Sequence, residues 1–282
     1  MVQDTRERYI NPYTDFGFKK LFGTEMNKDL LISFLNALFN GSEKEIEDVQ
    51  YLNGENLGDG YGDRRSVFDV YCTTKDGSRF IVEMQKAEQA FFKDRSVYYA
   101  TFPIREQAPR GDWNFQLKGV YTVGILNFVF PDDEYSPECF HHEVKLMDTE
   151  DKHVFYDKLT FIYLEMPKFN KTEDELETMF DKWMFVLRNL SRLMERPAAL
   201  QERIFKKLFE QAEIARFTPQ DVRDYEESIK IYRDLTNVVN TAERKGREKE
   251  KYATALKMKA KGYSVTEILD ITGLTAEEIE NL

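Results

Sequence analysis

The chain has 282 residues, of which 41% are hydrophobic and 14% aromatic, enough for one large domain or for one domain with a smaller appendage. It has 51 acidic and 40 basic side chains and a formal net charge of −11. This balance argues against a protein that coats nucleic acid through bulk electrostatic attraction, but it is compatible with an enzyme that has a local basic groove.

The cysteine, histidine and hydropathy patterns argue against further classes of protein. Cys72 and Cys139 form no metal-ligand pattern and no disulfide framework. His141 and His142 are adjacent and would face opposite sides of a strand, so we expect any metal site to use oxygen ligands. The N-terminal segment lacks the apolar core of a signal peptide, and no apolar run approaches the roughly 20 residues of a membrane span. We therefore expect a cytoplasmic protein with no membrane partner.

Helices and strands alternate over the first part of the chain. The stretch "NPYTDFGFKKLFG" (11–23) predicts a helix that Thr14 or Asp15 caps and Gly23 ends. Apolar periodicity predicts further helices and strands, which are helices over 27–41 and 91–108, strands over 46–53, 118–130, 141–148 and 158–167, and a hairpin over 64–86. This order predicts an α/β domain with a mixed sheet.

Helical periodicity dominates after Pro167. A helix over 172–190 begins with Thr172 and Glu175 at the spacing of a capping box. We therefore predict three parts, which are a core over 1–167, a helical extension over 168–240 and a small helix-turn-helix-like tail over 241–282.

The tail is divided by charge. Residues 241–262 have eight basic and three acidic side chains, which gives +5, whereas residues 263–282 have five acids and no base, which gives −5. A helix-turn-helix reads bases from its second helix, and acids there oppose contact with phosphate. The candidate second helix (274–282) contains three glutamates, so we expect the tail to contact protein or, loosely, phosphate, and not to read a sequence.

The helical C-terminal region also offers a surface for a homo-oligomer. The apolar positions that suit a small helical hairpin are Ile268, Leu269, Ile271, Leu274 and Ile279.

The hairpin contains the stretch "VFDVYCTTKDGSRFIVEMQ" (67–85), with Asp69 on its first strand and Glu83 on its second. A two-residue loop at the turn would place these acids on opposite faces of the sheet. A three-residue loop, with Gly77 as its left-handed residue, would place Asp69 directly opposite Glu83. The three-residue register is favoured because one face is then wholly apolar, comprising Phe68, Val70, Cys72, Phe80, Val82 and Met84. The other face comprises Asp69, Tyr71, Ile81, Glu83 and Gln85.

Two carboxylates opposed in this way destabilise a sheet, because their Cβ atoms lie about 4.5–5.5 Å apart. A divalent cation reverses the sign of that interaction. Mg²⁺ prefers carboxylate oxygens, with waters and substrate phosphate completing its octahedral shell. The alternative is a solvated polar face in which each acid turns toward water.

An Asp on one strand and Glu-x-Gln on the next resemble the PD-(D/E)XK nuclease core. More specifically, the chain is similar to the PD-(D/E)XK nuclease family transposases, also called recombination-promoting nucleases. The similar stretches are "NPYTDFGFKKLFG", "DRRSVFDVYCTTKDGSRFIVEMQ", "FFKDRSVYYATFPIREQ", "LKGVYTVGILNF" and the tail "KGYSVTEILDITGLTAEEIENL".

The resemblance implies a restriction-endonuclease-like mixed sheet flanked by helices, with Mg²⁺ as cofactor (Mn²⁺ or Ca²⁺ as alternatives) and DNA as partner. It implies that Asp69, Glu83 and the Met84 backbone carbonyl hold the metal, and that Gln85, at the position of the motif's lysine, orients the attacking water. Asp15 aligns with a catalytic acid, and its alternative role is a helix cap or first-turn carboxylate.

Four further matched residues have two interpretations each. Arg95, Tyr98 and Tyr99 follow the motif on a predicted helix, where they contact phosphate or pack against the core. Gln107 is also matched and is equally well explained as structural.

Three functions stay open at this point. The leading prediction is a metal-dependent DNA endonuclease of the recombination-promoting type. The alternatives are a catalytically inactive nuclease-fold binding module and a transposase that joins strands. Because Gln85 is neutral, more of the catalysis would depend on the metal, which lowers the pKa of bound water and stabilises charge on phosphoryl oxygens.

Overall fold

The computed structural model describes residues 7–39, 45–52, 55–56, 66–109, 111–130 and 138–282. The chain divides into two compact units, Met1–Lys230 and Ile231–Leu282. The first unit contains the sheet and the nuclease-like motif, and the second is helical.

The strands are β1 (Val49–Tyr51), β2 (Glu55–Asn56), β3 (Ser66–Val67), β4 (Val70–Thr74), β5 (Arg79–Gln85), β6 (Val120–Leu126), β7 (His141–Met147) and β8 (Val154–Glu165). Six of them form one sheet in the order β1-β4-β5-β6-β8-β7, and β2 pairs with β3 in a separate ladder. Strands β5, β6 and β8 are parallel, and the other neighbours are antiparallel. This arrangement confirms the predicted mixed α/β sheet. Every residue of β6 is buried, as expected for a parallel strand covered on both faces.

The α-helices of the first unit are α1 (Asp15–Phe22), α2 (Lys28–Leu38), α3 (Phe92–Arg105), α4 (Met179–Asn189) and α5 (Arg203–Ala212). Short 3₁₀ turns lie at Glu25–Asn27, Met166–Lys168, Glu173–Glu175, Leu190–Arg192 and Ile214–Arg216. The long helix α6 (Pro219–Ala260) begins in this unit and ends in the second one.

Helices cover both faces of the sheet. Phe39, at the end of α2, packs edge-on against Phe80 and Tyr121, with ring centroids 5.7 and 5.1 Å apart. The next residue of β5, Ile81, faces the other side and packs with Phe102 of α3. A Cβ at Gly124 of β6 would lie 3.2 Å from the Tyr163 ring, which is closer than side chains usually pack, and 3.5 Å from Phe92 of α3, which is an ordinary contact distance.

Helices α4 and α5 pack with the N-terminal helices. Trp183 of α4 is fully buried, and its ring lies 5.7 Å from Phe22, 5.9 Å from Phe34 and 5.2 Å from Phe205. Residues of the predicted helical extension therefore share a core with α1 and α2. The boundaries at 167/168 and 240/241 stay predictions, and α6 runs without a break through residue 240.

The predicted helix over 172–190 is wrong at its beginning. The capping box of Thr172 and Glu175 forms, but it caps a 3₁₀ turn that ends at Glu175. A second capping box, from Thr178 and Asp181, starts α4. Each capping box can start a helix, because its side chains accept hydrogen bonds from backbone N–H groups that have no partner in the first turn. Two boxes in succession therefore divide the segment into a 3₁₀ turn and α4.

The hairpin between β4 and β5 has the predicted three-residue turn. Thr74 N donates to Ser78 O at 2.9 Å, Gly77 N donates to Thr74 O at 3.0 Å, and Gly77 has φ of 88°. The strand register pairs Val70 with Val82.

The assignment of Phe68 to the same face as Phe80 is wrong. Phe68 packs with Tyr71 and Ile81 on the face that α3 covers, at 5.5 Å from the Tyr71 ring. Alternation fails because β4 begins at Val70, so Phe68 precedes the regular strand and does not follow its period.

The second unit ends in α7 (Val265–Thr272) and α8 (Ala276–Glu280), each started by a capping box. Gly273 joins the two helices with φ of 65°. The buried cluster of the unit is Ala255, Met258, Ile268, Leu274 and Ile279. Leu269 and Ile271, predicted with that apolar set, are instead 38% and 66% exposed. In the described part of the chain, no helix combines the length and the apolar character that crossing a membrane requires.

Candidate active site

Asp69 and Glu83 lie at the end of the hairpin far from its turn. Asp69 immediately precedes β4, whose pairing with β5 begins at Val70 and Val82, so Asp69 and Glu83 each lie one residue beyond that pair. The Asp69 carboxylate accepts a hydrogen bond from the backbone N–H of Met84 at 2.9 Å. The side chain therefore takes a bond that the strand ladder would otherwise supply.

Glu83 is buried, with 7% of its surface exposed. Its Oε2 accepts a hydrogen bond from Gln85 Nε2 at 2.9 Å, whereas its Oε1 is buried with no hydrogen-bond partner in the described part of the chain. Burial, together with the charge of Asp69, raises the pKa of Glu83 to about 8, although Arg95 and Gln85 act in the opposite direction. A buried acceptor without a donor is costly, so this oxygen is suited to a proton or a cation.

Asp69 is subject to the same effects. Burial raises the pKa of Asp69, and the Asp15 carboxylate raises it further. The Met84 N–H and the ammonium groups of Lys19 and Lys86 lower the pKa of Asp69, but not enough to cancel the rise. Because both acids bind protons more tightly than usual, the pair is unfavourable when both groups are ionised.

The Met84 backbone is oriented toward Asp69. A strand residue directs its N–H and its carbonyl to the same edge, which is how hydrogen-bonded antiparallel pairs exchange both bonds. Since the Met84 N–H donates to Asp69, its carbonyl faces the same edge. The Met84 carbonyl therefore faces the edge of β5 that Asp69 contacts, and its role as a metal ligand stays a prediction.

Gln85 is held between Glu83 and Arg95. Arg95 Nη2 donates to Gln85 Oε1 at 2.6 Å, and Arg95 Nη1 donates to Gln89. The Arg95 guanidinium also lies over the ring of Tyr99, 5.8 Å from its centroid. The predicted phosphate ligand Arg95 thus lies beside the motif, in contact with the residue at the position of the lysine.

The other predicted phosphate ligands lie in different surroundings. Tyr99 is half-buried, its ring is 5.4 Å from Phe68, and burial and the nearby Glu83 charge raise the pKa of Tyr99. Tyr98 is 45% exposed and packs against Phe102, not against the acids. Gln107 accepts from Lys118 N at 2.7 Å and donates to the Pro103 carbonyl, which supports its structural interpretation.

Asp15 lies beside the acid pair as a first-turn acid of α1. Thr14 is the cap, since its hydroxyl accepts from Gly17 N at 3.0 Å. The Asp15 side chain is 61% exposed and forms an ion pair with Lys86 at 2.7 Å.

Lys86 is a charged neighbour that the sequence reasoning missed. It directly follows Gln85, so strand alternation assigns it to the opposite face. However, β5 ends at Gln85, so Lys86 does not follow the strand alternation. Its ammonium group lowers the pKa of Asp69. The signal in the sequence that could have identified this neighbour is a lysine directly after the Glu-x-Gln motif.

Another group of ligand-type side chains lies on the turn between β7 and β8. Asp148, Asp151 and His153 each offer one ligand atom within 4.8 Å of the others, and they are the one such group of three among the described residues. Asp148 Oδ1 already accepts from the backbone N–H groups of Glu150 and Asp151. Asp148 is half-buried, Asp151 and His153 are exposed, and the group provides a comparison for experiments.

The family model for PD-(D/E)XK nuclease family transposases matches residues 12–242. The chain belongs to this family. The match includes the hairpin, α3 and most of α6, and the tail stretch that was predicted to be similar (261–282) lies wholly beyond it. Comparison with curated proteins and with solved structures gave no match.

Membership of the PD-(D/E)XK nuclease family transposases supports a nuclease-type function, and nucleases of this kind generally use divalent metals. The residues at the motif fit such an ion. The Asp69 charge acts on the Glu83 carboxylate, Glu83 Oε1 has no donor among the described residues, and the Met84 carbonyl faces the edge that Asp69 contacts. Oxygen donors of this kind match the preference of Mg²⁺.

Proposed function

We propose that the chain is a metal-dependent DNA endonuclease that hydrolyses phosphodiester bonds, with Asp69 and Glu83 as its metal ligands. The supporting observation is that Glu83 Oε1, buried beside a second carboxylate, has no hydrogen-bond partner among the described residues. Nothing in a purely structural role requires two opposed acids whose pKa values are both raised. The Met84 carbonyl completes the proposed set of ligands.

Each residue of the site has a distinct proposed role. A divalent cation, when bound, supplies a water of lowered pKa and stabilises charge on the phosphoryl oxygens. Gln85 has one amide N–H and one oxygen lone pair left after its contacts with Glu83 and Arg95, and these orient the attacking water. Arg95 provides positive charge beside a neutral residue where the motif has lysine.

The surrounding residues complete the proposal. Asp15 adds a third acid whose charge is balanced by Lys86. Tyr98 and Tyr99 border the path of the DNA backbone next to Arg95.

We propose Mg²⁺ as the metal, with Mn²⁺ or Ca²⁺ as replacements. We also propose that the protein acts in DNA recombination in the cytoplasm and that it associates with itself through the helical C-terminal region.

Cleavage of supercoiled plasmid tests this function. Wild-type protein with Mg²⁺ or Mn²⁺ should nick and linearise the plasmid. Asp69→Ala and Glu83→Ala should lose more than the roughly 100-fold that removal of a supporting group typically costs, because each removes a direct ligand. Asp148→Ala is the matched control, since it disrupts the other acidic group and should leave cleavage unchanged.

The outcomes separate the candidates. Wild-type protein that binds DNA but leaves duplex and single-stranded substrates intact with Mg²⁺, Mn²⁺ and Ca²⁺ would indicate a binding module. Loss of cleavage in Asp148→Ala but not in Asp69→Ala would move the site to the β7–β8 turn. Products joined to a donor end would indicate strand transfer.

A further inference from the structure

A second group of reactive side chains lies at the far edge of the sheet, away from β5. Cys139 lies two residues before the edge strand β7, His142 lies on β7, and Glu165 ends β8. Cys139 Sγ lies 3.9 Å from His142 Nδ1, and His142 Nε2 lies 2.9 Å from Glu165 Oε2. Cys139, His142 and Glu165 thus have the arrangement of a nucleophile, a base and an acid that orients the base.

The hydrogen bonds around Glu165 determine which nitrogen of His142 has the proton. Glu165 is fully buried, and it accepts from the Phe130 N–H through Oε1 and from Lys168 through Oε2 at 2.6 Å. Burial alone would raise the pKa of Glu165, but the donors Lys168, His142 and Phe130 lower it below its ordinary value.

An ionised Glu165 is an acceptor, so His142 donates from Nε2. The lone pair on Nδ1 is then directed toward the Cys139 thiol. The single thiol proton has a second acceptor nearby, since the His141 carbonyl lies 3.5 Å from Cys139 Sγ.

The other cysteine of the chain provides the contrast. Cys72 is fully buried in the sheet, and burial raises the pKa of its thiol to about 12. Such a thiol is inert, because the thiolate is the nucleophile. Cys139, in contrast, is half-buried and has a base within reach.

We propose that Cys139 is an activated thiol that undergoes thiol–disulfide exchange with small disulfides, with His142 as its base. The thiol proton passes to His142 Nδ1, and the sulfur attacks one sulfur of the disulfide. A new S–S bond forms as the original S–S bond breaks, and the leaving sulfur takes the proton from His142. The products are a mixed disulfide on Cys139 and one small thiol. Glu165 orients the imidazole through its contact with His142 Nε2, and Lys168 holds the Glu165 carboxylate in place.

The experiment measures exchange at each cysteine in the full-length chain. The protein is reacted with 2-hydroxyethyl disulfide at pH 7, native and unfolded in urea, and modification of the Cys139 and Cys72 peptides is followed by mass spectrometry. Cys139 should react at least ~10-fold faster in the native chain than in the unfolded one, because the base acts only when folded. Cys72 should show the reverse order.

Two variants identify the base. His142→Gln should bring the native rate of Cys139 down to the unfolded rate or below it. The matched control is His141→Gln, which changes the neighbouring side chain and should leave the rate unchanged. The proposal is overturned if native Cys139 reacts no faster than unfolded Cys139, a comparison that needs no variant. It is also overturned if a His142→Gln protein with an unaltered melting curve keeps the wild-type rate.

Discussion

Replacing Glu83 with Gln should stabilise the metal-free protein at neutral pH. The pKa of Glu83 is raised from 4.5 to about 8, so the folded state binds the proton more tightly than the unfolded state. The stability from this proton is fully present below pH 4.5 and is lost as the pH rises toward 8. At about 1.4 kcal/mol per pH unit above 4.5, keeping Glu83 protonated in the folded state costs about 3 kcal/mol at pH 7 and less than about 1 kcal/mol at pH 5. Gln avoids this cost at every pH.

The assay is thermal and urea unfolding of wild type and Glu83→Gln in EDTA at pH 5 and pH 7. For a unit of this size, the difference of about 3 kcal/mol corresponds to a Tm about 6–12 °C higher for Glu83→Gln at pH 7. Glu88→Gln is the matched control, since Glu88 is exposed a few residues further along. The reasoning is refuted if Glu83→Gln is no more stable than wild type at pH 7, or if the difference is the same at pH 5.

Four further predictions concern the metal, the hairpin turn, Gln85 and the C-terminal tail. Mg²⁺ should raise the Tm of wild type but not of Glu83→Gln, because the ion binds the folded site; an equal rise in both would place the ion elsewhere. Gly77→Ala should cost about 1–2 kcal/mol in urea unfolding, because Gly77 has φ of 88°, with a smaller loss for Gly77→Asn; no loss in Gly77→Ala would contradict the turn geometry. Gln85→Ala should reduce plasmid cleavage less than Asp69→Ala, and equal loss in both would give Gln85 more than an orienting role. Truncation after Asn240 should leave the cut sites of cleaved plasmid unchanged, and altered cut sites would show that the tail reads sequence.

The hairpin could be predicted because two independent signals agree. The apolar pattern requires one register, and Gly77 occupies the left-handed position that this register needs. Together they place Asp69 and Glu83 one residue beyond the Val70–Val82 pair. The face of the sheet on which Phe68 lies could not be predicted, because the alternation of apolar and polar residues does not show that β4 begins two residues later, at Val70.

The contacts around the motif depend on tertiary structure. Arg95 and Gln85 are ten residues apart on different elements, and only the packing of α3 over the sheet brings them to 2.6 Å. The ion pair of Lys86 with Asp15 depends in the same way on where β5 ends. Helical periodicity in the C-terminal part predicts helices correctly, but it does not show that α6 continues through residue 240, since no capping signal interrupts it.

The central claim is that Asp69 and Glu83 hold a divalent cation. Anomalous diffraction from crystals of the full-length protein grown with Mn²⁺ tests it most directly. The account predicts a peak bounded by the Asp69 carboxylate, Glu83 Oε1 and the Met84 carbonyl, and no peak there in crystals of Glu83→Gln. A Mn²⁺ peak at Asp148, Asp151 and His153, with none between Asp69 and Glu83, would contradict it.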